Sequence, residues 1–269
     1  MTDNHHIHEI AIFAANLARR AGDLIRRERS ANALSHQYKD AQELVTSADV
    51  KADELIVKAI RQHYPTHRIL SEESAPDKQA AADLETPLWI VDPIDGTVNY
   101  AYGHDTVAVC IAYAEQGRVR MGVVYCPFRD ETFQAILGEG ATLNHEPLQV
   151  STCERLDRAL VATGFPYRKD NLAPLIQRLD RVLHVCRDIR RIGSAAIDIC
   201  WVAAGRLDAY YESVSPWDFA AARLIAGEAG ARCGHFSPVP DGYPEDLWGN
   251  DILISAPALF DPLHEVLQG

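Results

Sequence analysis

The sequence predicts a chain of mixed class, α+β in its first half and α/β in its second, and three observations carry that prediction. Two amphipathic helical patterns precede a run of short hydrophobic strands joined by glycine-containing turns, the order expected when helices cover an antiparallel meander. Beyond about Ser151, strand-like and helix-like segments alternate, as they do in layered α/β structures. No internal repeat or low-complexity linker separates the halves, so residues 1–150 and 151–269 are expected to pack closely.

Ile7, Ile10, Ala14, Leu17, Ala21, Leu24 and Ile25 recur at spacings of three and four, which predicts a helix from Ile7 to Ile25. A second helix is expected over 47–63, with Val50, Leu55, Ile56, Ala59 and Ile60 on one face, Thr46 or Ser47 as its cap and Tyr64-Pro65 as its stop. Asp49 then falls in its first turn, where the helix dipole favours negative charge. Leu88-Trp89-Ile90-Val91 reads as a buried strand, and Pro93 and Gly96 predict a turn over 92–96. Thr106–Tyr113 and Val119–Tyr125 form a hairpin around Gly117, and Glu131–Leu137 and Thr142–Leu148 form another around Gly138-Glu-Gly140. The second half reads as a strand at Ala159–Ala162, a helix over 171–184, a strand over 187–192, a helix at Ser194–Ala204 and a strand at Leu207–Tyr211. A helix over 216–229, a strand at Ile252–Ser255 and a terminal helix to Leu267 complete it.

Composition narrows the partners. With 47% hydrophobic and 24% charged residues, the 269-residue chain has material for a sizeable core. A formal net charge of −12 argues against a general nucleic-acid or anionic-membrane binder, since either needs a basic face. A phosphorylated small molecule stays open, because a bound cation reverses the local field. The amino terminus lacks a secretory pattern, and the most apolar run, Ala195–Ala204, is short and interrupted by Asp198, so no membrane span is expected. Six cysteines without C-x-x-C spacing read as reduced thiols of a cytoplasmic protein.

Carboxylates at the ends of elements carry the chemistry. Asp92 and Asp95 follow the apolar strand, and like charges so close need protons or a hard cation, which the Ile94 carbonyl could help to bind. Asp95 could instead cap a helix beginning at Gly96. Glu72 and Glu73 follow the apolar stub Arg68–Ser71. Asp218 stands at the third helical position after Ser215 and Pro216, where a capping box alone would account for it. Capping does not explain the company: Asp49, Glu72, Asp92, Asp95 and Asp218 all sit at the mouth of a strand or helix.

Trp89-Ile-Val-Asp-Pro-Ile-Asp-Gly-Thr97, with Glu72-Glu73-Ser74 before it and Ser215-Pro-Trp-Asp-Phe-Ala-Ala221 after it, resembles the inositol monophosphatase family of magnesium-dependent, lithium-sensitive phosphatases. Leu44–Asp49, Gly193-Ser-Ala-Ala196 and Asp208–Glu212 extend the resemblance over nearly the whole chain. It implies a five-layered α-β-α-β-α sandwich with an antiparallel N-terminal sheet and a smaller C-terminal mixed sheet. Residues 1–150 would be the metal-binding half and 151–269 the half that completes the site, in a homodimer. It also implies two or three Mg²⁺ ions: Glu72, Asp92 and the Ile94 carbonyl for one, Asp92, Asp95 and Asp218 for a second, and a weaker third leaning on Glu72. Thr97 and Asp49, with Glu72 nearby, would orient the attacking water. Asp95, Gly96 and Thr97 would receive the phosphoryl group, while Gly193, Ser194, Ala195, Glu212 and the Thr163-Gly164 pair would meet the remainder of the substrate.

The implied activity is hydrolysis of a small polyol or sugar phosphate, inositol 1-phosphate first, with no nucleic-acid or membrane partner. Histidinol phosphate, fructose 1,6-bisphosphate and nucleotide phosphates are alternatives, as is a non-catalytic regulatory relative. The sequence departs from the inositol-specific pattern in one loop: Glu212 precedes Asp218 by six residues, one fewer than that pattern has. Lys39, near the loop of the third ion, is displaced by about one residue, as loops readily allow. A haloacid-dehalogenase-type phosphatase, whose D-x-D-G-T core Ile94-Asp95-Gly96-Thr97 resembles only in part, would need an aspartate nucleophile that this chain lacks there.

Overall fold

The computed structural model describes residues 2–31, 36–39, 43–75, 86–166, 169–170 and 172–269. The first half runs α1 (Thr2–Ser30), β1 (His36–Lys39), β2 (Glu43–Thr46), α2 (Ser47–His63), β3 (Arg68–Ser71), β4 (Leu88–Asp95) and the short α3 (Thr97–Ala101). It ends with β5 (Ala108–Glu115), β6 (Arg118–Cys126), β7 (Glu131–Ile136), β8 (Ala141–Leu143) and β9 (Glu146–Pro147). The second half runs β10 (Leu160–Thr163), α4 (Ala173–Val185), β11 (Asp188–Arg190), α5 (Ala195–Ala203), β12 (Ala209–Glu212), α6 (Pro216–Glu228), β13 (Arg232–His235), β14 (Ile252–Ser255) and α7 (Phe260–Gln268).

β3 to β9 lie side by side in sequence order in a seven-stranded sheet, antiparallel except that β3 runs parallel to β4. The second sheet has five strands in the order β11-β10-β12-β14-β13 and is mixed: β10 is parallel to both its neighbours, and β14 is antiparallel to both of its own. The two-residue period of the strands sorts their side chains into layers. On β4, Trp89 and Val91 pack with Ile10, Leu17 and Ile56 of α1 and α2. Ile90, pointing the other way, packs with Ile197, Phe219 and Ala222 of α5 and α6. The same middle cluster takes in Ala162, Tyr210 and Ile254 of the second sheet, whose opposite face carries Val161, Ala209 and Leu253 against α4 and α7. Each fully buried large side chain is worth ~1.5–3 kcal/mol relative to exposure. The result is the α-β-α-β-α sandwich, with α5 and α6 enclosed between the sheets and one core shared by both halves. Among the described residues no helix is long and apolar enough to cross a membrane.

Several elements differ from the reading of the sequence. The chain does not turn at Asp92: β4 continues through Pro93 to Asp95, and the turn comes at Gly96, whose φ is 95°. Asp92 pairs with Cys110 and Asp95 with Ala108, so β4 carries one residue more than β5 across this interval. Such a bulge accommodates a proline that has no N–H to give the ladder. α1 begins earlier and ends later than its apolar stripe, and the expected Thr142–Leu148 strand is broken into β8 and β9.

Close packing of the middle layer depends on Gly122 of β6. A Cβ there would lie 2.6 Å from the Ala221 carbonyl oxygen of α6, a backbone atom that cannot rotate away. Gly122→Ala is therefore expected to destabilise the fold by ~1–3 kcal/mol, the usual cost of overpacking. Gly227→Ala in α6, where the nearest atom is the Cys233 Sγ at 3.9 Å, is expected to be neutral or stabilising. Denaturant unfolding of both variants checks the pair.

Candidate active site

The β4 bulge, the starts of α3, α5 and α6, and the end of β3 meet at one place between the sheets. Asp92 keeps the parity of Ile90 and so faces the middle layer, where α6 begins. Ser215 caps that helix, Pro216 occupies its first turn, and the Asp218 carboxylate accepts the Ser215 N–H at 2.7 Å. Capping thus holds, but it is only part of the role: carboxylate oxygens of Asp92, Asp95 and Asp218 all lie within 4.8 Å of one another. Glu72, leaving β3 with its N–H on the Val91 carbonyl at 3.3 Å, shares a side-chain hydrogen bond with Asp92.

Each carboxylate is held by the chain that brings it. Asp92 Oδ1 accepts the Ile94 N–H at 2.9 Å, which folds the bulge around it. Asp95 Oδ2 accepts the Ser194 hydroxyl at 2.6 Å and the Ala196 N–H at 2.8 Å, and the Ala195 N–H also donates to this carboxylate. The start of α5 is therefore tied to the end of β4 across 101 residues. Gly96 allows that approach, since a Cβ on it would sit 2.9 Å from the Thr106 carbonyl oxygen and 3.3 Å from that of Gly193. On the far side, the Thr97 hydroxyl lies 3.0 Å from Asp49 Oδ1 and 3.1 Å from the Ile94 carbonyl oxygen. Asp49 Oδ2 accepts both the N–H and the hydroxyl of Thr46, at 2.9 and 2.5 Å, completing the capping box of α2.

Electrostatics marks the cluster as incomplete on its own. Burial, reinforced by the charges of Glu72, Asp95 and Asp218, holds Asp92 well above the usual carboxylate range. Asp218 is pushed up to about 8 by burial and then by Asp95. Asp95 rises only to about 6, because the Ser194 hydroxyl, the α5 N–H groups and Arg191 oppose its burial. Burial also raises Asp49. A cluster of acids held this close must share protons or take a cation, and the all-oxygen donor set suits a hard divalent ion.

Glu212 lies apart from the cluster, at the end of β12, where the Tyr210 hydroxyl donates to its Oε2 at 2.6 Å. Burial raises it to about 7. Gly164 passes so near that a Cβ would lie 2.1 Å from Glu212 Oε2. The Thr163 hydroxyl donates to the Tyr211 carbonyl at 2.8 Å. Gly193 stands beside Asn99, whose amide donates to the Ile192 carbonyl and to both the carbonyl and the hydroxyl of Thr106, each at 2.9 Å. Lys39 lies on β1, and its side chain is outside the described residues. Sequence reasoning missed three residues here: Asn99, Arg191 and Asp198. Only Asp198 left a signal, as the acid that interrupts the most apolar run.

A five-layered sandwich with buried carboxylates gathered between its sheets is the arrangement of a class of metal-dependent phosphatases. The chain belongs to the inositol monophosphatase family, whose model matches residues 6–265. It is 40% identical to a Pasteurella multocida protein named Nus factor SuhB, over 95% of this chain and 94% of that one. It is 34% identical to inositol monophosphatase 1 of Solanum lycopersicum, over 100% of this chain and 98% of the relative. The crystal structure of the extragenic suppressor protein suhB from Bartonella henselae superposes with a TM-score of 0.86 at 30% identity, covering 97% of this chain and 98% of the other.

The raised carboxyls give stability a defined pH dependence. An Asp ionises near 3.8 when unfolded, whereas Asp95 and Asp218 hold their protons to about 6 and about 8 in the fold. The folded chain therefore binds more protons over that interval. The contribution is full below the unfolded value and is lost as pH rises through the folded values. Without divalent cations, thermal unfolding is expected at a lower temperature at about pH 8.5 than at about pH 5. Millimolar Mg²⁺ is expected to raise it more at the higher pH, where protons no longer compete for the carboxylates. A calorimetric scan at both pH values, with and without the ion, checks the sign.

Proposed function

We propose that this protein is a Mg²⁺-dependent phosphomonoesterase that hydrolyses a small polyol or sugar phosphate, inositol 1-phosphate first among them, with water as the nucleophile. The observation that carries this reading is the convergence of Asp92, Asp95, Asp218 and Glu72 next to the Thr97–Asp49 pair. A relative named inositol monophosphatase 1 supports the substrate class. Glu72, Asp92 and the Ile94 carbonyl would hold one ion, Asp92, Asp95 and Asp218 a second, and Glu72 would share in a weaker third. When bound, these ions acidify water and neutralise charge on the phosphoryl and leaving oxygens.

The protein's own groups do the orienting. The Thr97 hydroxyl donates a hydrogen bond to Asp49, which leaves its lone pairs free to accept a hydrogen bond from the attacking water, and Glu72 would receive the proton that the water releases. The backbone at Gly96 and Thr97, with Asp95 anchored behind it, receives the phosphoryl group. Gly193, Ser194, Ala195 and Glu212, with Gly164 closing against Glu212, bind the alcohol portion. The homodimer and lithium sensitivity of the family belong to the same reading. Six unpaired cysteines support a cytoplasmic location, and the net charge of −12 supports a small-molecule partner.

A second reading, a regulatory module without turnover, is favoured by the name Nus factor carried by a relative of 40% identity. Phosphate release from a panel of phosphate esters, with and without Mg²⁺ and Li⁺, separates the two. Mg²⁺-dependent release inhibited by Li⁺ is expected, and no release from any ester would favour the regulatory module. Asp92→Asn is expected to lower turnover by more than about 100-fold, beyond the cost of losing an outer hydrogen-bond partner of a metal ligand. Its circular dichroism should stay unchanged, and wild-type turnover in the pure variant would overturn the assignment.

A further inference from the structure

Asn99 stands at the centre of the five-residue α3, where asparagine is a weak helix former and its side chain ordinarily competes for nearby backbone groups. Here the amide turns away from its own helix. It is 9% exposed, and its two N–H bonds serve three acceptors on other segments: the Ile192 carbonyl, the Thr106 carbonyl and the Thr106 hydroxyl, each 2.9 Å from Nδ2. The contact with Ile192 spans 93 residues and adds nothing to the hydrogen bonding within α3.

Ile192 immediately precedes Gly193, so this contact fixes one end of the loop assigned to the alcohol portion of the substrate. Asp95 fixes the other end, accepting the Ser194 hydroxyl at 2.6 Å and the Ala196 N–H at 2.8 Å. Between the two ties Gly193, at a φ of 92°, packs against the Asn99 amide: a Cβ on it would lie 3.1 Å from Nδ2 and 3.2 Å from Oδ1. The loop also borders the phosphoryl turn, since a Cβ on Gly96 would lie 3.3 Å from the Gly193 carbonyl oxygen. The two ties differ in kind. Asp95 belongs to the carboxylate cluster, and its oxygens are shared with whatever proton or cation the cluster takes up. The Asn99 amide is uncharged and, among the described residues, bonds to no carboxylate, so its hold on the loop does not change when the cluster is loaded.

We propose that Asn99 is a positioning residue for the alcohol portion of the substrate: by holding the Ile192 carbonyl and Thr106 with one amide, it fixes the 193–195 loop at a set distance from the turn at Gly96 and Thr97. This rests on the phosphomonoesterase reading. The phosphoryl group meets the turn and the alcohol meets the loop, so a loop that drifts weakens binding of the alcohol and leaves the phosphoryl end in place.

The test compares Asn99→Ala and Asn99→Leu with wild type on two esters, inositol 1-phosphate and p-nitrophenyl phosphate, whose leaving group carries no further hydroxyl. Leucine fills the space of the amide without donating, and alanine does neither. In both variants KM for the inositol ester is expected to rise about tenfold with kcat held within about threefold, while kcat/KM on the aryl ester changes by less than about threefold. Inhibition by free inositol should weaken in parallel, and millimolar Mg²⁺ should raise the unfolding temperature of each variant by as much as it raises that of wild type. Equal losses on both esters, a fall in kcat alone, or wild-type selectivity restored by leucine would show a structural or space-filling role and overturn the proposal. Unchanged kinetics, loss of the Mg²⁺ shift, or failure of both variants to fold would overturn it as well. If wild type releases phosphate from neither ester, the phosphomonoesterase reading fails first, and that result is distinct from a working enzyme whose variants keep its selectivity.

Discussion

The mutual repulsion of buried carboxylates is the constraint around which this molecule is arranged. Asp92, Asp95 and Asp218 come from two segments far apart in the chain, yet their oxygens share a space that a single ion would fill. Bringing unscreened charges together in a dry interior is unfavourable by several kcal/mol for each ion unless something compensates them. Here the compensation is local and specific: one backbone N–H for Asp92, a helix start for Asp95 and a capping box for Asp218. Proton uptake by Asp92 and Asp218 supplies part of the remainder. A hard cation placed among these oxygens would supply the rest.

The enclosed middle layer makes this possible. α5 and α6 carry small residues near their starts, Ala195 and Ala196 in one and Ala220 to Ala222 in the other, and both starts reach the end of β4. Small side chains and Gly122 let the first sheet settle onto α6, and Gly96 lets α3 begin against the loop that carries Gly193. Packing and chemistry are therefore one problem in this fold. The residues that allow close approach in the core are the same kind that allow donors from distant segments to converge.

Much of this was legible in the residues before any coordinates. The three-and-four spacing of apolar positions located α1 and α2, and Thr46 and Asp49 marked the start of α2 because capping is a local rule. The three motifs that carry Glu72, Asp92 with Asp95, and Asp218 named the cluster through their resemblance to the family. Other features were opaque for physical reasons. β13, Arg-Cys-Gly-His, has neither alternation nor branched residues, and its pairing with β14 supplies what its sequence lacks. The bulge at Pro93 was read as a turn, since a proline breaks a ladder in either case and only the partner strand decides which. Asn99 and Arg191 matter through contacts with remote segments, and no local pattern announces such contacts.

The clamp made by Asn99 carries a consequence for truncation of the chain. Its amide joins α3 to the Ile192 carbonyl, while Asp218 arrives later still from α6. A chain ending after the first sheet would thus present Asp92 and Asp95 without Asp218 and without the Ser194 and Ala196 donors of α5. The three-carboxylate cluster is therefore a property of the whole chain: residues 1–150 carry two of its members, and the third joins them only when α6 docks on the first sheet.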